Sequence, residues 1–169
     1  MALPLDLLRS RIRNEIRIAI DELQHPISVS DPSLSRFPLQ LNVSLTKTPG
    51  PSIKNGQVVH RYNHRFQIHI TDQYPYEKPI VRWRTPIFHP NIMPPEDGGY
   101  VCTKLLDDWS FSSNLLTFIK GVETMLANPN PANPYATETC IEAAKYFARY
   151  KYKPPILADR NKPRPRIVK

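Results

Sequence analysis

The N-terminal part of the chain has apolar residues at intervals of three and four, which is the spacing of one face of an α-helix. Because proline cannot continue a helix, the pattern predicts a helix that ends before Pro26. Arg9, Arg13 and Arg17 flank the apolar face, either as an ordinary solvated flank or as a surface for an acidic partner. The apolar face itself consists of Leu5, Leu8, Ile12, Ile16, Ala19 and Leu23.

After Pro38 the pattern changes to strict alternation of apolar and polar residues, as half-exposed strands require. Residues 39–46 and 61–70 alternate in this way, and a shorter strand is predicted over 80–84. Asn55-Gly56 predicts a turn between the first two strands. The three strands predict an antiparallel meander with one solvated face. The second strand is expected to face the core with Tyr62, His64, Phe66, Ile68 and Ile70.

Residues 85–106 show no regular period and are rich in proline and glycine, which predicts a long irregular loop. Such a loop inside a compact domain is usually functional. Helical spacing returns after Asn114, a predicted N-cap, and again over residues 135–150. The last helix is expected to bury Ala136, Cys140, Ala143, Ala144 and Phe147. The order helix, meander, loop and helices predicts an α+β domain over residues 1–150.

Composition and charge change this picture at one end of the chain only. Proline, with 19 residues, occurs at roughly twice its average frequency of about 5 %, which excludes a coiled coil or a plain helical bundle. The net charge is +8, yet residues 1–144 hold 14 basic and 14 acidic residues. The excess lies in residues 145–169, with nine basic residues and Asp159. Residues 151–169 are therefore expected to form a flexible, basic, proline-rich tail. Its charge indicates either an electrostatic arm for an acidic protein or nucleic acid, or a solvated tail that keeps the protein soluble.

Three further features predict the compartment. Residues 1–10 lack the basic and then apolar layout of a secretory signal, and no apolar run approaches the roughly 20 residues of a membrane span. The two cysteines exclude a disulfide framework. We expect a soluble protein of the cytosol, or of the nucleus in an organism that has one.

The two cysteines differ in their surroundings. Cys140 shares the apolar face of the last predicted helix, which indicates a small buried side chain. Cys102 follows Gly98-Gly99 in the irregular loop, where glycines let a bulky substrate approach, so it is either a nucleophile or a merely buried thiol. His89 is the only histidine in the same loop, and beside prolines it is more typical of a structural hydrogen bond than of a base. No ligand spacing for zinc and no glycine-rich phosphate loop is found.

Several ordered motifs resemble the ubiquitin-conjugating enzymes. His89-Pro90-Asn91 looks like the family's tripeptide upstream of the active-site cysteine, and Gly99-Tyr-Val-Cys102 looks like its Gly-x-(Ile/Val)-Cys. Trp109-Ser110 before a helix and the proline-rich residues 128–134 match in order and approximate spacing. The resemblance covers about residues 5–150 and implies the fold of that family, an N-terminal helix, a β-meander, an irregular active-site loop and C-terminal helices.

The resemblance implies a transferase that carries a modifier on Cys102. An activating enzyme would hand ubiquitin or a ubiquitin-like protein to Cys102 as a thioester, and a lysine amine would then accept it with the help of a ligase, expected to be of the RING type. ATP is used by the activating enzyme, so this chain is expected to need no cofactor and no metal. Asn91 is similar to the family's amide that stabilises the oxyanion or shapes its loop, and His89 is expected to hold that loop.

The remaining expected sites also rest on the resemblance. Asn133 stands where the family often has an acid near the entering lysine, a role that Asp107 or Asp108 could replace, and Tyr135 is expected to contact the thioester. The positions that match docking sites for activating enzymes and ligases are Arg9, Arg13, Pro75, Tyr76, Glu77, Ser110 and Phe111. Phe111 is alternatively a core residue under its loop.

This chain departs from the family pattern in two places. Between Asn91 and Cys102 it has about three residues more than typical members, which leaves open how the amide lies relative to the thiol. Thr103 and Lys104 stand where many members have a hydrophobic residue and then an acid.

Two other functions are alternatives to the conjugating enzyme. One is a non-catalytic partner of another conjugating enzyme, against which the retained Cys102 argues. The other is a basic nucleic-acid-binding protein, disfavoured because the sequence shows no aromatic and basic platform.

Overall fold

A computed structural model describes residues 2–102 and 104–156, without the side chain of residue 105. It shows four α-helices and six strands in these ranges, together with a 3₁₀ turn over Pro95–Asp97. The helices are α1 (Leu5–Leu23), α2 (Lys104–Asp107), α3 (Leu115–Ala127) and α4 (Glu138–Arg149). The strands are β1 (Ile27–Val29), β2 (Leu39–Leu45), β3 (Gly50–Lys54), β4 (Gln57–Arg61), β5 (His64–Ile70) and β6 (Ile80–Trp83).

Helix α1 confirms the predicted helix and its apolar face, and it ends at Leu23, with Gln24 in the left-handed conformation before Pro26. Leu8, Ile12 and Ala19 are buried, whereas Leu5 at the first turn is exposed. One buried residue of α1 is charged. The Glu15 carboxylate accepts hydrogen bonds from the Tyr74 hydroxyl (2.8 Å) and the Leu115 amide (2.9 Å), so it ties α1 to the start of α3.

The main sheet confirms the predicted meander and adds a strand that the pattern did not predict. Its order is β1-β2-β5-β6, and every pair is antiparallel. Strand β2 alternates between buried and partly exposed residues along its whole length, and β5 buries Phe66, Ile68 and Ile70. Ala143 and Phe147 of α4 form a separate cluster with Phe88. The buried face of the sheet contacts α1 and α3 in the main hydrophobic core. The third predicted strand, which is β6 in the structure, presents Val81 and Trp83 to this core, as predicted.

The sequence predicts only a turn in the segment between β2 and β5. In the structure this segment forms a second hairpin. Strands β3 and β4 pair from Gly50↔Arg61 to Lys54↔Gln57. Asn55 and Gly56 both have positive φ (52° and 74°), the conformation of a two-residue hairpin turn. The prediction for Tyr62 was wrong, because β5 begins at His64 and Tyr62 is an exposed residue between two strands.

The C-terminal helices agree with the prediction except at one boundary. Asn114 caps α3 by accepting a hydrogen bond from the Thr117 amide. Helix α4 begins at Glu138 rather than at 135, because the Thr137 side chain accepts from the Cys140 amide and caps it there. Ala136 consequently lies before the helix and is exposed, contrary to the prediction. The other four predicted positions are buried, namely Cys140, Ala143, Ala144 and Phe147.

Contacts with the domain continue past residue 150. The Tyr152 hydroxyl lies 2.8 Å from His60 Nδ1, and its ring is 5.7 Å from that of Phe147. The greater part of the predicted tail, residues 157–169, lies outside the described residues. Within the described ranges, no helix is long and apolar enough to cross a bilayer, and no cluster of three or more His, Cys, Asp or Glu residues could hold a metal ion.

Candidate active site

The longer segment between Asn91 and Cys102 folds back on itself and leaves its two ends adjacent. The Met93 amide donates to the Tyr100 carbonyl (2.8 Å), and the 3₁₀ turn over Pro95–Asp97 closes the excursion. At its base the Cys102 amide donates to the Asn91 carbonyl (3.0 Å). The extra residues are therefore absorbed in the turn, and the main chain of Asn91 remains directly bonded to that of Cys102.

A glycine fixes this turn against the sheet. The Gly99 carbonyl accepts a hydrogen bond of 2.6 Å from the Trp83 amide of β6. Gly99 has φ +68°, and a Cβ at this position would lie 2.5 Å from the Trp83 carbonyl oxygen. Only glycine allows both the backbone conformation and this close approach. On the outer face, the Arg82 guanidinium lies 3.8 Å from the centroid of the Tyr100 ring and secures the same turn.

The Asn91 side chain lies under the loop with its donors fully used. It is 4 % exposed, and its Nδ2 donates to the carbonyls of Asn130 and Asn133 (3.1 Å each). Its Oδ1 accepts from the Asn130 amide (2.8 Å). The amide thus holds the proline-rich connection beneath the cysteine. Of the two roles left open by the sequence, this arrangement favours shaping the loop, because no Nδ2 hydrogen is left for an oxyanion.

His89 is fully buried and also has both ring nitrogens engaged. Its Nε2 lies 2.7 Å from the Met125 carbonyl, to which it donates, and its Nδ1 accepts from the Asn91 amide (3.0 Å). Burial lowers the pKa of His89 to about 4, so the ring is neutral at physiological pH. This geometry links the loop to the end of α3 and leaves no ring nitrogen for a thiol.

The two thiols differ in access, as the sequence predicts. Cys102 is partly exposed at the end of the anchored loop, whereas Cys140 is buried in α4. The Cys140 Sγ lies 3.7 Å from the Ile92 carbonyl, to which it donates, and burial raises the pKa of this thiol. Of the two, only Cys102 can meet a large protein substrate.

The Tyr135 hydroxyl has no partner among the described residues. The Tyr135 amide donates to the Pro90 carbonyl (3.0 Å), which fixes the start of the segment leading into α4. The hydroxyl oxygen is buried and forms no hydrogen bond with any residue that the structure describes. Burial raises the pKa of Tyr135, and electrostatic interaction with the Cys102, Cys140 and Asp107 groups raises it further. The hydroxyl is therefore a protonated donor without a partner among these residues.

The other residues predicted near the entering lysine are exposed. Asp107 ends α2, where its Oδ1 lies 3.7 Å from Lys78 Nζ, and Asp108 follows it. The Asn133 side chain is exposed, while its carbonyl is one of the acceptors of Asn91. Of the two residues that depart from the family pattern after the cysteine, Lys104 is exposed and Thr103 lies outside the described residues.

The predicted docking residues Tyr76 and Phe111 meet at the surface, together with an arginine that the sequence analysis missed. Their rings lie 5.6 Å apart, and they are 42 % and 53 % exposed, so Phe111 is not a core residue. The Arg11 guanidinium lies 4.7 Å from the Phe111 ring centroid and donates to the carbonyls of Phe111 (2.6 Å) and Ser113 (2.8 Å). The sequence spacing gives no signal for this contact, because it joins residues 100 positions apart.

The other predicted docking residues do not all belong to this surface. Arg9 donates to the Leu34 carbonyl (3.0 Å), and Arg13 lines a groove with Leu34, so both lie on a different side of α1 from Arg11. Pro75 is buried, between the buried Tyr74 and the exposed Tyr76. Glu77, which follows Tyr76, and Ser110, which precedes Phe111, are both exposed.

Comparisons with known proteins agree with this geometry. A family model described as ubiquitin-conjugating enzyme matches residues 49–154. Ubiquitin-conjugating enzyme E2 T of Bos taurus is 31 % identical over 97 residues, which cover 54 % of this chain and 45 % of that protein. The NEDD8-conjugating enzyme Ubc12 of Dictyostelium discoideum is 32 % identical over 136 residues, which cover 76 % of this chain and 54 % of that protein. The chain thus spans about half the length of these two relatives.

Solved structures show the same fold. S. cerevisiae Ubc12 matches with a TM-score of 0.64 and 24 % identity, covering 87 % of this chain and 74 % of that chain. A putative ubiquitin conjugating enzyme from Plasmodium yoelii matches with a TM-score of 0.62 and 23 % identity, covering 89 % and 88 %. The range matched by the family model contains His89, Asn91 and Cys102. This chain therefore belongs to the ubiquitin-conjugating enzyme family.

Proposed function

We propose that this protein accepts ubiquitin or a ubiquitin-like modifier on Cys102 from an activating enzyme and transfers it to a lysine with the help of a ligase. The observation that carries the proposal is the partial exposure of Cys102 on an anchored loop, within the range that matches the family. ATP is consumed by the activating enzyme, and the chain itself needs no cofactor.

The chemistry consists of two acyl transfers. Cys102 Sγ attacks the carbonyl carbon of the modifier's C-terminal thioester on the activating enzyme, a new S–C bond forms, and the departing thiolate takes the thiol proton. A lysine amine then attacks the same carbon, the C–Sγ bond breaks, and the sulfur leaves as the thiol with a proton from the amine. The activated donor provides the driving force, so a basic partner of the hydrolase type is unnecessary.

The structure supports a particular donor for the oxyanion of the second step. The Asn91 donors are already bonded, whereas the Tyr135 hydroxyl is protonated, has no partner among the described residues and interacts electrostatically with Cys102. In this proposal the Tyr135 hydroxyl donates to the oxyanion, a role for which one donor can lower the barrier by about 2.7–4 kcal/mol. Asp107, Asp108 and the Asn133 side chain line the approach of the entering lysine.

Loading assays test the proposal directly. The protein is incubated with ATP and matched pairs of activating enzyme and modifier, including ubiquitin and NEDD8, and run on gels with and without reductant. A reductant-sensitive band is expected, which disappears in Cys102→Ala and persists in Cys140→Ala. If the folded protein forms no band with any pair although Cys102 reacts with a thiol reagent, the alternative of a non-catalytic binding partner is favoured.

A second assay separates transfer from loading. After loading, discharge to free lysine is followed for wild type and for Asn133→Ala. The proposal expects slower discharge with unchanged loading, and an unchanged discharge rate would remove Asn133 from the lysine environment.

The Tyr76–Phe111 surface is proposed to bind the activating enzyme and the ligase. Exposed aromatic rings beside an arginine are typical of interface hot spots. We expect Phe111→Ala to slow loading and ligase-stimulated discharge while leaving discharge to free lysine unchanged. Ile141→Ala, at an exposed apolar side chain of α4, is the matched control and should behave as wild type. Loss of discharge to free lysine in Phe111→Ala would indicate a change in the active site instead.

A further inference from the structure

Part of the chain's excess positive charge lies on helix α4, and the rest lies in the tail that follows it. Among residues 145–156 four side chains are basic and none is acidic. Lys145 and Arg149 are exposed on the last turns of α4, and Lys151 and Lys153 are exposed in the segment that follows. Residues 157–169 add five basic residues and one acidic residue in sequence. A polyanion that reaches this end of the molecule therefore meets a concentration of cations.

Two accessible aromatic rings lie among these cations. Tyr146 and Tyr150 are 36 % and 52 % exposed, and their ring centroids lie 5.1 Å apart. The Arg149 guanidinium is 5.4 Å from the centroid of the Tyr150 ring. The far side of Tyr146 is supported by Phe147 and Phe88, at 5.0 and 5.9 Å between centroids. Tyr146 is thus held by its contacts with Phe147 and Phe88, Tyr150 packs on Tyr146, and part of the surface of both rings is accessible.

A groove continues the same surface. It has a volume of about 350 Å³ and is lined by Pro129, Pro131, Lys151 and Tyr152, among others. Tyr152 is fixed in its wall by the contacts with His60 and Phe147. The groove therefore has rigid walls of ring and proline side chains and a lysine at its edge, next to the exposed pair of tyrosines.

We propose that this C-terminal face, defined by Lys145, Tyr146, Arg149, Tyr150, Lys151 and Lys153, binds single-stranded nucleic acid. Cations that follow a backbone together with aromatic rings that stack on bases are the two components of sequence-independent single-strand binding. Exposed rings also occur at protein interfaces, so the comparison with polyglutamate below separates an acidic protein partner from nucleic acid. Nucleic acid is disfavoured above because the sequence shows no platform of aromatic and basic residues; the structure leaves Tyr146 and Tyr150 accessible among the cations of residues 145–153.

The face is separate from the candidate active site. Helix α4 has 12 residues and is about 18 Å long, its first turn holds Cys140 near the loop, and the proposed face lies at its other end. Binding of nucleic acid is therefore measured independently of conjugation, and neither result decides the other.

The test is fluorescence anisotropy of a fluorescein-labelled 20-nucleotide oligo(dT) with the full chain. Four neutralised phosphates on a single strand predict a slope of about −2.8 for the logarithm of affinity against the logarithm of salt concentration, so affinity should fall at least about 50-fold between 50 and 200 mM salt. Tyr150→Leu should weaken binding at least about fivefold, the lower limit for the loss of one base stack, whereas Tyr150→Phe should bind as wild type. Lys151→Gln combined with Lys153→Gln should reduce the slope by about 1.4.

The controls test whether binding depends on the rings of the C-terminal face and on nucleic acid rather than on negative charge alone. Tyr100→Leu removes another exposed tyrosine that is stacked on an arginine, outside the C-terminal face, and should leave binding unchanged. Thermal unfolding followed by circular dichroism verifies that each variant is folded. The proposal is overturned if oligo(dT) does not bind at 50 mM salt, or if folded Tyr150→Leu binds as wild type. It is also overturned if a 20-residue polyglutamate binds as tightly as oligo(dT) with the same dependence on Tyr150, which would indicate an acidic protein partner.

Discussion

Two layers of the candidate active site differ in how far their polar groups are already bonded. The lower layer, here called the floor, consists of the side chains of His89 and Asn91 with the main chain of Asn130 and Asn133. The side-chain donors of His89 and Asn91 and the Asn130 amide all have protein partners. The upper layer, here called the rim, consists of Tyr135, Asp107 and Asp108, and it contains a buried hydroxyl that is bonded to none of the described residues, beside exposed carboxylates.

This difference assigns the two layers to different tasks. A buried amide that already has three hydrogen bonds can act on the reaction only by positioning other groups, because exchanging one bond for a substrate contact leaves another buried group unpaired. A donor without a partner gives up no existing hydrogen bond when it binds a substrate oxygen. Changes in the floor should therefore alter stability together with both acyl transfers, whereas changes in the rim should alter transfer to lysine alone.

The largest effect is expected from Asn91→Ala. The substitution removes three hydrogen bonds of about 1 kcal/mol each from a buried site, so urea unfolding should show a loss of about 3 kcal/mol, with slower loading and discharge. Asn133→Ala is the matched control. Because Asn133 contributes only its carbonyl to the floor, its stability should change by less than about 0.5 kcal/mol. Equal destabilisation by the two variants would contradict the division into floor and rim.

Gly99→Ala should have the second largest effect. The added Cβ would lie 2.5 Å from the Trp83 carbonyl at a positive φ, and we expect a loss of about 2 kcal/mol in the free energy of unfolding and slower loading as the loop moves. Gly56→Ala is the control, since its φ is also positive but the added Cβ meets open space. It should cost about 1 kcal/mol and leave loading unchanged. The difference between the two variants measures the close approach of the loop to β6.

The parts of the fold that were predictable from the sequence are those coded by local spacing. The apolar face of α1, the alternation in β2 and the cap at Asn114 are properties of neighbouring residues, and each is confirmed. The contrast between Cys102 and Cys140 was likewise visible, because glycines precede one and an apolar helix face surrounds the other.

The rest depends on contacts between distant residues. The Asn91 amide bonds to residues 39 and 42 positions away, so no local pattern distinguishes a loop-shaping amide from an oxyanion donor. Arg11 was missed because its partner Phe111 is 100 positions away, and Arg9 and Arg13 looked equivalent to it in sequence. The β3–β4 hairpin was missed because Gly50 and Pro51 read as turn residues, although in the fold Gly50 gives room to Leu126 and His64.

Acid should destabilise the domain through two buried histidines. Burial lowers the pKa values of His64 and His89 to about 4, from about 6.5 in an unfolded chain. Their contribution to stability is therefore complete above pH 6.5 and is lost as the pH falls toward 4, because the unfolded state binds more protons in this window. Each such group gives a slope of about 1.4 kcal/mol per pH unit.

His64→Asn tests this prediction without touching the floor itself. Between pH 4.5 and 6, the slope of the free energy of unfolding against pH should be smaller than in wild type by about 1.4 kcal/mol per unit. A His64→Asn slope equal to that of wild type would mean that the buried histidine is not kept neutral by burial.

The smallest effect on stability, and the sharpest separation of the two layers, is expected from Tyr135→Phe. Because the hydroxyl has no partner among the described residues, the free energy of unfolding should change by less than about 0.5 kcal/mol. Loss of one oxyanion donor raises the barrier by about 2.7–4 kcal/mol, so discharge of the loaded protein to free lysine should fall at least about 100-fold while loading stays at the wild-type rate. Tyr152→Phe reverses this expectation, since its hydroxyl is bonded to His60 Nδ1 far from the cysteine. It should lose about 1 kcal/mol of stability and discharge normally. If Tyr135→Phe discharges as wild type, the rim hydroxyl is not the oxyanion donor, and the floor amide would have to give up one of its bonds to take that role.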